Sequence, residues 1–231
     1  MNLNLNIKNL DLRQLEELDI KCINCNYWFN AERTNFIEEL YRSRNIWDLI
    51  KSKIFEKRNE SSQGKNIFCF KKSGGRIKAA FDGKKCVGVI LSGKYYLFPK
   101  LKSFSIYPPD SKSIFLGCLY VISGYRNVGI EKRLLLDLEK DLIKERIKSI
   151  ETIGKRLNDD ISEYEYEKSP LIPIKFLIKN GFYITKNDEL FPLLRLDLKT
   201  IIGYFAKSKL LSIREIFLKK KIRSPAIIKK N

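Results

Sequence analysis

The stretch that most constrains this chain begins at Ile114. Nine consecutive residues, Ile114-Phe115-Leu116-Gly117-Cys118-Leu119-Tyr120-Val121-Ile122, are apolar on both alternating faces, as in a central strand covered on both sides. Ser123-Gly124-Tyr125-Arg126-Asn127-Val128-Gly129 then turns the chain into a helix expected over about Ile130–Lys148, with Leu135, Leu138, Leu142 and Ile143 as its buried stripe. Asp137/Lys140, Asp141/Lys144 and Glu145/Lys148 place opposite charges three apart on the wet side. A strand feeding such a turn and helix aims several backbone N–H groups, and the positive end of the helix dipole, at one point. That is an anion site suited to a pyrophosphate. The turn has neither the Lys-Ser/Thr of a P-loop nor the three glycines of a dinucleotide fingerprint.

The flanking sequence supplies partners for that strand. Ile7, Leu10, Leu12, Leu15, Leu18 and Ile20 fit a short strand or a marginal helix over 7–20, and Glu32–Ile54 reads as helical with Phe36, Leu40, Trp47, Ile50 and Ile54 as its stripe. Ile67–Phe70, Ile77–Phe81 and Cys86–Leu91 read as strands, the last two joined through Asp82-Gly83, a hairpin signal. Residues 92–113 form a long irregular connection holding Pro99, Pro108 and Pro109, and connections of that length in a domain are commonly functional. Ser149–Ile153 is a further strand, Asp159–Glu167 an acidic loop and Pro173–Lys179 a short helix stopped by Asn180-Gly181. Phe182–Thr185 and Leu190–Leu198 read as a closing hairpin. The expected class is α/β, with one central crossover.

Composition excludes much chemistry. The chain has no histidine, which removes every Ser/His, Cys/His or His-metal mechanism. Its five cysteines are an odd number without a secretion signal, so a disulfide framework is not expected. The N-terminus, Met1-Asn2-Leu3-Asn4-Leu5-Asn6, lacks the blocks of a signal peptide and no apolar run is long enough to span a bilayer, so the expected location is cytoplasmic. Net charge is +18, with the excess in 51–100 and 200–231. Such a surface suits nucleic acid, acidic lipid or a phosphate-bearing cosubstrate. Because 32 of the 45 basic residues are Lys, without interleaved Arg and stacking aromatics, solvated lysines are the plainer reading and nucleic acid is not favoured.

Three motifs together carry a family resemblance. Tyr125-Arg126-Asn127-Val128-Gly129-Ile130-Glu131 resembles the R/Q-x-x-G-x-G/A acyl-CoA loop of the GNAT N-acetyltransferases. Phe176-Leu177-Ile178-Lys179-Asn180-Gly181-Phe182 is similar to that family's F-Y-x-x-x-G-F segment. Cys22-Ile23-Asn24-Cys25-Asn26-Tyr27-Trp28 resembles the C-x-x-C-x-(Y/F)-W opening of one bacterial subgroup, which also carries a Pro-rich loop like 98–109. The resemblance implies a GNAT-like acyl-CoA N-acyltransferase fold, a mixed and mostly antiparallel sheet flanked by helices and split into a V at its centre. It implies acetyl-CoA as cosubstrate, no metal, and an amine acceptor, small molecule or protein, that attacks the thioester directly.

On that basis Leu119, Tyr120 and Val121 would offer backbone groups to the pantetheine, and Arg126, Asn127, Val128, Gly129, Ile130 and Glu131 would cradle the pyrophosphate. Four positions depart from the family pattern: Glu131 where Gly or Ala is usual, Leu177 where a tyrosine often acts as acid, and Pro170 and Pro173 where asparagine and alanine are common. The proton donor is therefore sought elsewhere. Tyr164 and Tyr166 are placed for it, with Glu163, Glu165 and Glu167 as acceptors of the amine proton; a solvated acidic loop is the alternative. The expected organisation is a lead-in over 1–21, the acetyltransferase-like domain over 22–199 and a basic amphipathic helical extension over 200–231. The rival reading is a catalytically inactive module on the same fold that holds RNA or an acidic partner.

Overall fold

A computed structural model describes residues 4–16, 18, 25–29, 46–60, 66–156 and 170–198. The elements in chain order are β1 (Leu5–Asn9), α1 (Leu12–Glu16), α2 (Ile46–Glu60), α3 (Asn66–Lys72), β2 (Arg76–Asp82), β3 (Lys85–Gly93), β4 (Ile114–Val121), α4 (Ile130–Lys144), β5 (Ser149–Lys155), β6 (Ile172–Pro173), α5 (Ile174–Lys179), β7 (Tyr183–Lys186) and β8 (Leu193–Asp197). One mixed, mostly antiparallel sheet runs β1-β2-β3-β4-β5-β8-β7, with β6 beside β5, and helices flank it. This is the fold class expected from the sequence. Among the described residues no helix is long and apolar enough to cross a membrane.

The sheet consists of two antiparallel arms with a thin seam. β4 pairs antiparallel with β3 along its length, and β5 pairs antiparallel with β8. Between the arms, β4 and β5 pair in parallel only at Ile114↔Ile150 and Phe115↔Glu151. At the root of the split the Thr152 hydroxyl donates to Leu116 O at 2.7 Å. Beyond that point no strand among the described residues pairs with the β5-side edge of β4, which gives the V.

The two sheet faces carry different cores. One holds Leu116, Leu119 and Val121 of β4 with Leu134, Leu135, Leu138 and Leu142 of α4. The other holds Phe115 and Cys118 of β4 with Trp28, Phe70, Phe98, Phe104 and Tyr107.

Several expectations are corrected. Residues 67–70 are not a strand but part of α3, because Ile67 and Phe70 sit one helical turn apart and both are buried. A four-residue apolar run cannot by itself distinguish strand from helix. Within 7–20 both readings hold in succession, β1 and then α1. α2 extends past Ile54 to Glu60, and its stripe is misassigned: Trp47, Ile50 and Ile54 are exposed, while Asp48, Leu49, Ser52 and Phe55 face inward. Polar groups are tolerated there because they are partnered. The Tyr95 hydroxyl donates to Asp48 Oδ2 at 3.2 Å, the Ser52 hydroxyl to Glu56 Oε1 at 3.1 Å, and buried Lys102 pairs with Glu56. Phe36 and Leu40 lie outside the described residues.

α4 stops at Lys144, four residues early, where Arg146 takes a left-handed φ of 61° and Ile147 N–H closes on Leu142 O at 2.9 Å. Its buried stripe includes Ile130 and Leu134, and Ile143 is only half-buried. Of the three helical charge pairs, Asp141–Lys144 forms at 4.0 Å. Asp137 and Asp141 converge instead on buried Lys78 of β2, and Glu145 pairs with Arg76. Tertiary partners outcompete the weak pairs along the helix. The extension 200–231, the acidic loop 159–167 and Cys22 lie outside the described residues.

Candidate acyl-CoA site

The free edge of β4 opens into a cleft of about 690 Å³. Leu119 of β4 forms one side of it, the loop and first turn of α4 contribute Arg126, Asn127, Gly129, Glu131 and Lys132, and the opposite side is Ile172, Pro173, Phe176, Lys179 and Asn180. The site therefore lies where β4 and β5 part.

The loop geometry explains its composition. Asn127 and Gly129 both take left-handed φ values, 62° and 87°, a conformation glycine and asparagine adopt most readily. An added Cβ at Gly129 would meet nothing within 4 Å, so its backbone conformation, rather than crowding, requires glycine here. Gly129 is also the N-cap of α4, and no side chain caps that end. The first N–H groups of a helix have no intrahelical partner, so those of α4 are open to an anion in the cleft, aligned with the helix dipole. Three cations (Arg126, Lys132 and Lys179) and one carboxylate (Glu131) line the space. The balance fits a polyphosphate, and Glu131 opposes it.

The strand edge is the second half of the site. Ile122 N–H donates to Val87 O at 3.0 Å, so by the alternation of an antiparallel ladder Tyr120 and Cys118 direct their backbone groups to β3, and Val121 and Leu119 direct theirs to the cleft. The Val121 carbonyl does point that way and accepts from Arg126 Nε at 3.0 Å. The Leu119 N–H is thus an oriented donor in the cleft, and Arg126 bridges strand and loop.

The arrangement brings together five of the expected binding residues: Leu119, Arg126, Asn127, Gly129 and Glu131. The side chains of the other four go elsewhere. Tyr120 packs on the aromatic core, Val121 and Ile130 are buried in the aliphatic one, and Val128 is exposed. Tyr164, Tyr166 and Glu163 lie outside the described residues. Leu177 is buried in the aliphatic core, and the described residues lining the cleft include neither a phenol nor a thiol. Lys179 and Asn180 were not anticipated. Asn180-Gly181 was legible only as a helix stop, and which wall that helix end would meet depends on the pairing of β5 with β6.

A second polar cluster lies at the root of the V on the aromatic face. Buried Glu151 accepts Asp110 N–H at 2.7 Å and lies 3.4 Å from Arg195; burial pushes its carboxyl up from the usual value. Arg195 also binds Asp110 at 3.0 Å and Asp197 at 2.8 Å. Hydrogen bonds from Tyr183 and Arg195 hold the Asp197 carboxyl below the usual range. With Lys186 donating to Ile106 O at 2.7 Å and Pro108 O at 2.6 Å, the cluster straps the 104–112 connection to the second arm.

No protein-family model matches this sequence, and no curated protein is similar to it. Among solved structures the chain is similar to a PaiA N-acetyltransferase from Thermoplasma acidophilum in complex with coenzyme A, at 17% identity and a TM-score of 0.47, over 84% of this chain and 99% of that one. It is also similar to an acetyltransferase of the GNAT family from Staphylococcus aureus, at 18% identity and a TM-score of 0.44, over 84% and 99%. A third is a GNAT family acetyltransferase from Elizabethkingia anophelis with acetyl-CoA bound, at 14% identity and a TM-score of 0.42, over 84% and 98%.

Proposed function

We propose that the chain is an N-acetyltransferase that moves an acetyl group from acetyl-CoA to an amine. The observation that carries this is a cleft in which a strand edge unpaired among the described residues meets an uncapped helix N-terminus lined by cations. A ligand that is polyanionic at one end and amide-rich along its arm fits both. The α4 N-terminus, Lys132 and Lys179 would hold the pyrophosphate, and Leu119 and Val121 would pair with the pantetheine arm. The Leu119 N–H would stabilise charge developing on the thioester oxygen as the amine attacks. The C–S bond then breaks and the thiolate takes a proton. Tyr164 or Tyr166 is proposed as that donor and Glu163 as the acceptor of the amine proton. Their segment joins β5 to β6, and Ile172 and Pro173 of β6 line the cleft.

The test is isothermal titration of acetyl-CoA, with CoA and ATP as controls. We expect micromolar binding, strongly weakened by Gly129→Trp and by Lys132→Glu, and no mimicry by ATP. No binding at millimolar acetyl-CoA would overturn the assignment.

One observation favours the inactive-module reading: Leu177 is buried, so the described cleft wall has no hydroxyl to serve as acid. Steady binding of acetyl-CoA with no turnover across an amine panel, together with RNA binding that weakens steeply with salt, would decide for it.

A further inference from the structure

The aromatic segment before α2 takes no part in the cleft, yet it is tied to the strand that forms it. Trp28 is 3% exposed and its indole N–H donates to Gly117 O at 2.6 Å. Its ring stands edge-on to Phe98 and Phe115, at 5.8 and 5.5 Å between centroids. The segment itself is fastened: Lys100 N–H donates to Trp28 O at 3.1 Å, Phe29 N–H to Asn26 O at 3.0 Å, and Asn66 to the Asn26 side chain at 2.8 Å.

Gly117 is the extra residue of a β-bulge. Leu116 is opposite Ser92 and Cys118 opposite Leu91, which leaves Gly117 without a counterpart on β3. A Cβ there would lie 2.3 Å from the Phe98 ring, so glycine lets the aromatic core close over the bulge. The bulge changes the phase of β4. Leu116 lies on the aliphatic face and its carbonyl points towards β5. Unbroken alternation would then put Cys118 on that face and turn Leu119 backbone groups to β3. Instead Cys118 is on the aromatic face and Leu119 on the aliphatic one, with its N–H in the cleft.

We propose that Trp28 is a positioning residue: through its bond to Gly117 O it pins the bulge, and so keeps the Leu119 N–H aimed at the thioester carbonyl. This rests on the acetyl-CoA reading above. The indole takes up a bulge carbonyl that lies outside the regular ladder; without it the extra residue is free to shift along β4, and a shift past Leu119 turns its N–H to β3 and away from the cleft.

The test compares CoA with acetyl-CoA, because only the latter carries the carbonyl. Titrations of both are combined with NMR of acetyl-CoA isotope-labelled at the carbonyl carbon, for the wild type and Trp28→Phe. A second variant carries benzothienylalanine at position 28, which keeps the shape of indole and replaces its N–H with sulfur. We expect CoA affinity to stay within about two-fold, the preference for acetyl-CoA to fall about five-fold, the worth of one hydrogen bond, and the bound carbonyl resonance to move back towards its free position. A wild-type preference and resonance in both variants would overturn the role of Trp28 alone, as would a parallel loss of both ligands that follows the melting temperature. Failure of the wild type to bind acetyl-CoA would overturn this inference and the function on which it rests.

Discussion

The two faces of the sheet solve the same packing problem with different materials. Under α4 and α5 the core is almost entirely Leu, Ile and Val. The regular helices over it bury residues at helical spacing, such as Leu134, Leu138 and Leu142. On the other face Trp28, Phe70, Phe98, Phe104 and Phe115 lie beneath two short 3-10 turns (Tyr95–Leu97 and Pro99–Ser103), α2, α3 and the 25–29 segment. Irregular chain cannot present a periodic ridge, so large rings in edge-to-face contact fill the space. The difference has a functional side. On the proposed reading the aliphatic face supplies the helix that receives the anion, and the aromatic face supplies the bond that sets the phase of β4.

The sharpest way to break the comparison is to truncate one residue on each face. Phe98→Ala removes a fully buried ring touching Trp28, Phe70 and Phe115 and should cost about 4 kcal/mol in urea denaturation. Leu138→Ala in α4 should cost about 3 kcal/mol. Both lower stability, but only Phe98→Ala also uncovers Gly117, so only it should reduce the preference for acetyl-CoA over CoA. Equal effects on that preference would mean that the bulge does not depend on the aromatic cover.

Charge tests the aliphatic side further. Lys78 is 2% exposed and its ammonium is shared between Asp137 and Asp141, the latter at 2.7 Å. Replacing both aspartates with Asn strands a buried cation and should cost about 3 kcal/mol. Lys78→Met leaves the carboxylates in partial contact with water and should cost less, and denaturation of the three proteins checks the order. Glu139 of α4, 4% exposed, has its carboxyl pushed up to about 7 from 4.5 by burial. Its folded-state value exceeds the unfolded one, so the stability it contributes is complete below pH 4.5 and is lost as pH rises towards 7. We expect about 2 kcal/mol less stability at pH 7 than at pH 5 from this group, and Glu139→Gln to remove that slope.

Legibility in the sequence follows the same division. β4 could be read from its unbroken apolar run, α4 from apolar positions at helical spacing, and the β7–β8 hairpin from two short apolar runs after the Asn180-Gly181 stop. The aromatic face could not. Ile67–Phe70 is too short to declare its period, and α2 buries partnered Asp48 and Ser52 while exposing Trp47, Ile50 and Ile54. The candidate site was legible as a loop, through Arg126 and Gly129, but not as a cleft. Lys179 and Asn180 reach it through the parallel pairing of β6 with β5 at Gly154↔Ile172, and the Gly117 bulge follows from a register that no local pattern encodes.

The smallest expected effect concerns Glu131, the one anion among the cleft-lining side chains of the described residues. It sits in the first turn of α4, where a carboxylate stabilises the helix by about 0.5 kcal/mol through the dipole. The same carboxylate repels a diphosphate bound at that helix end. Glu131→Ala should therefore lower stability slightly while tightening acetyl-CoA binding by about five-fold, the worth of about 1 kcal/mol at a partly exposed site. The gain should shrink as salt rises and screens the repulsion. Titration of acetyl-CoA at low and moderate salt, beside a melt of each protein, separates the two effects. Weaker binding in Glu131→Ala would mean that the carboxylate orders the loop more than it repels the ligand, and the polyphosphate would then owe its place to Lys132 and Lys179 rather than to the bare helix end.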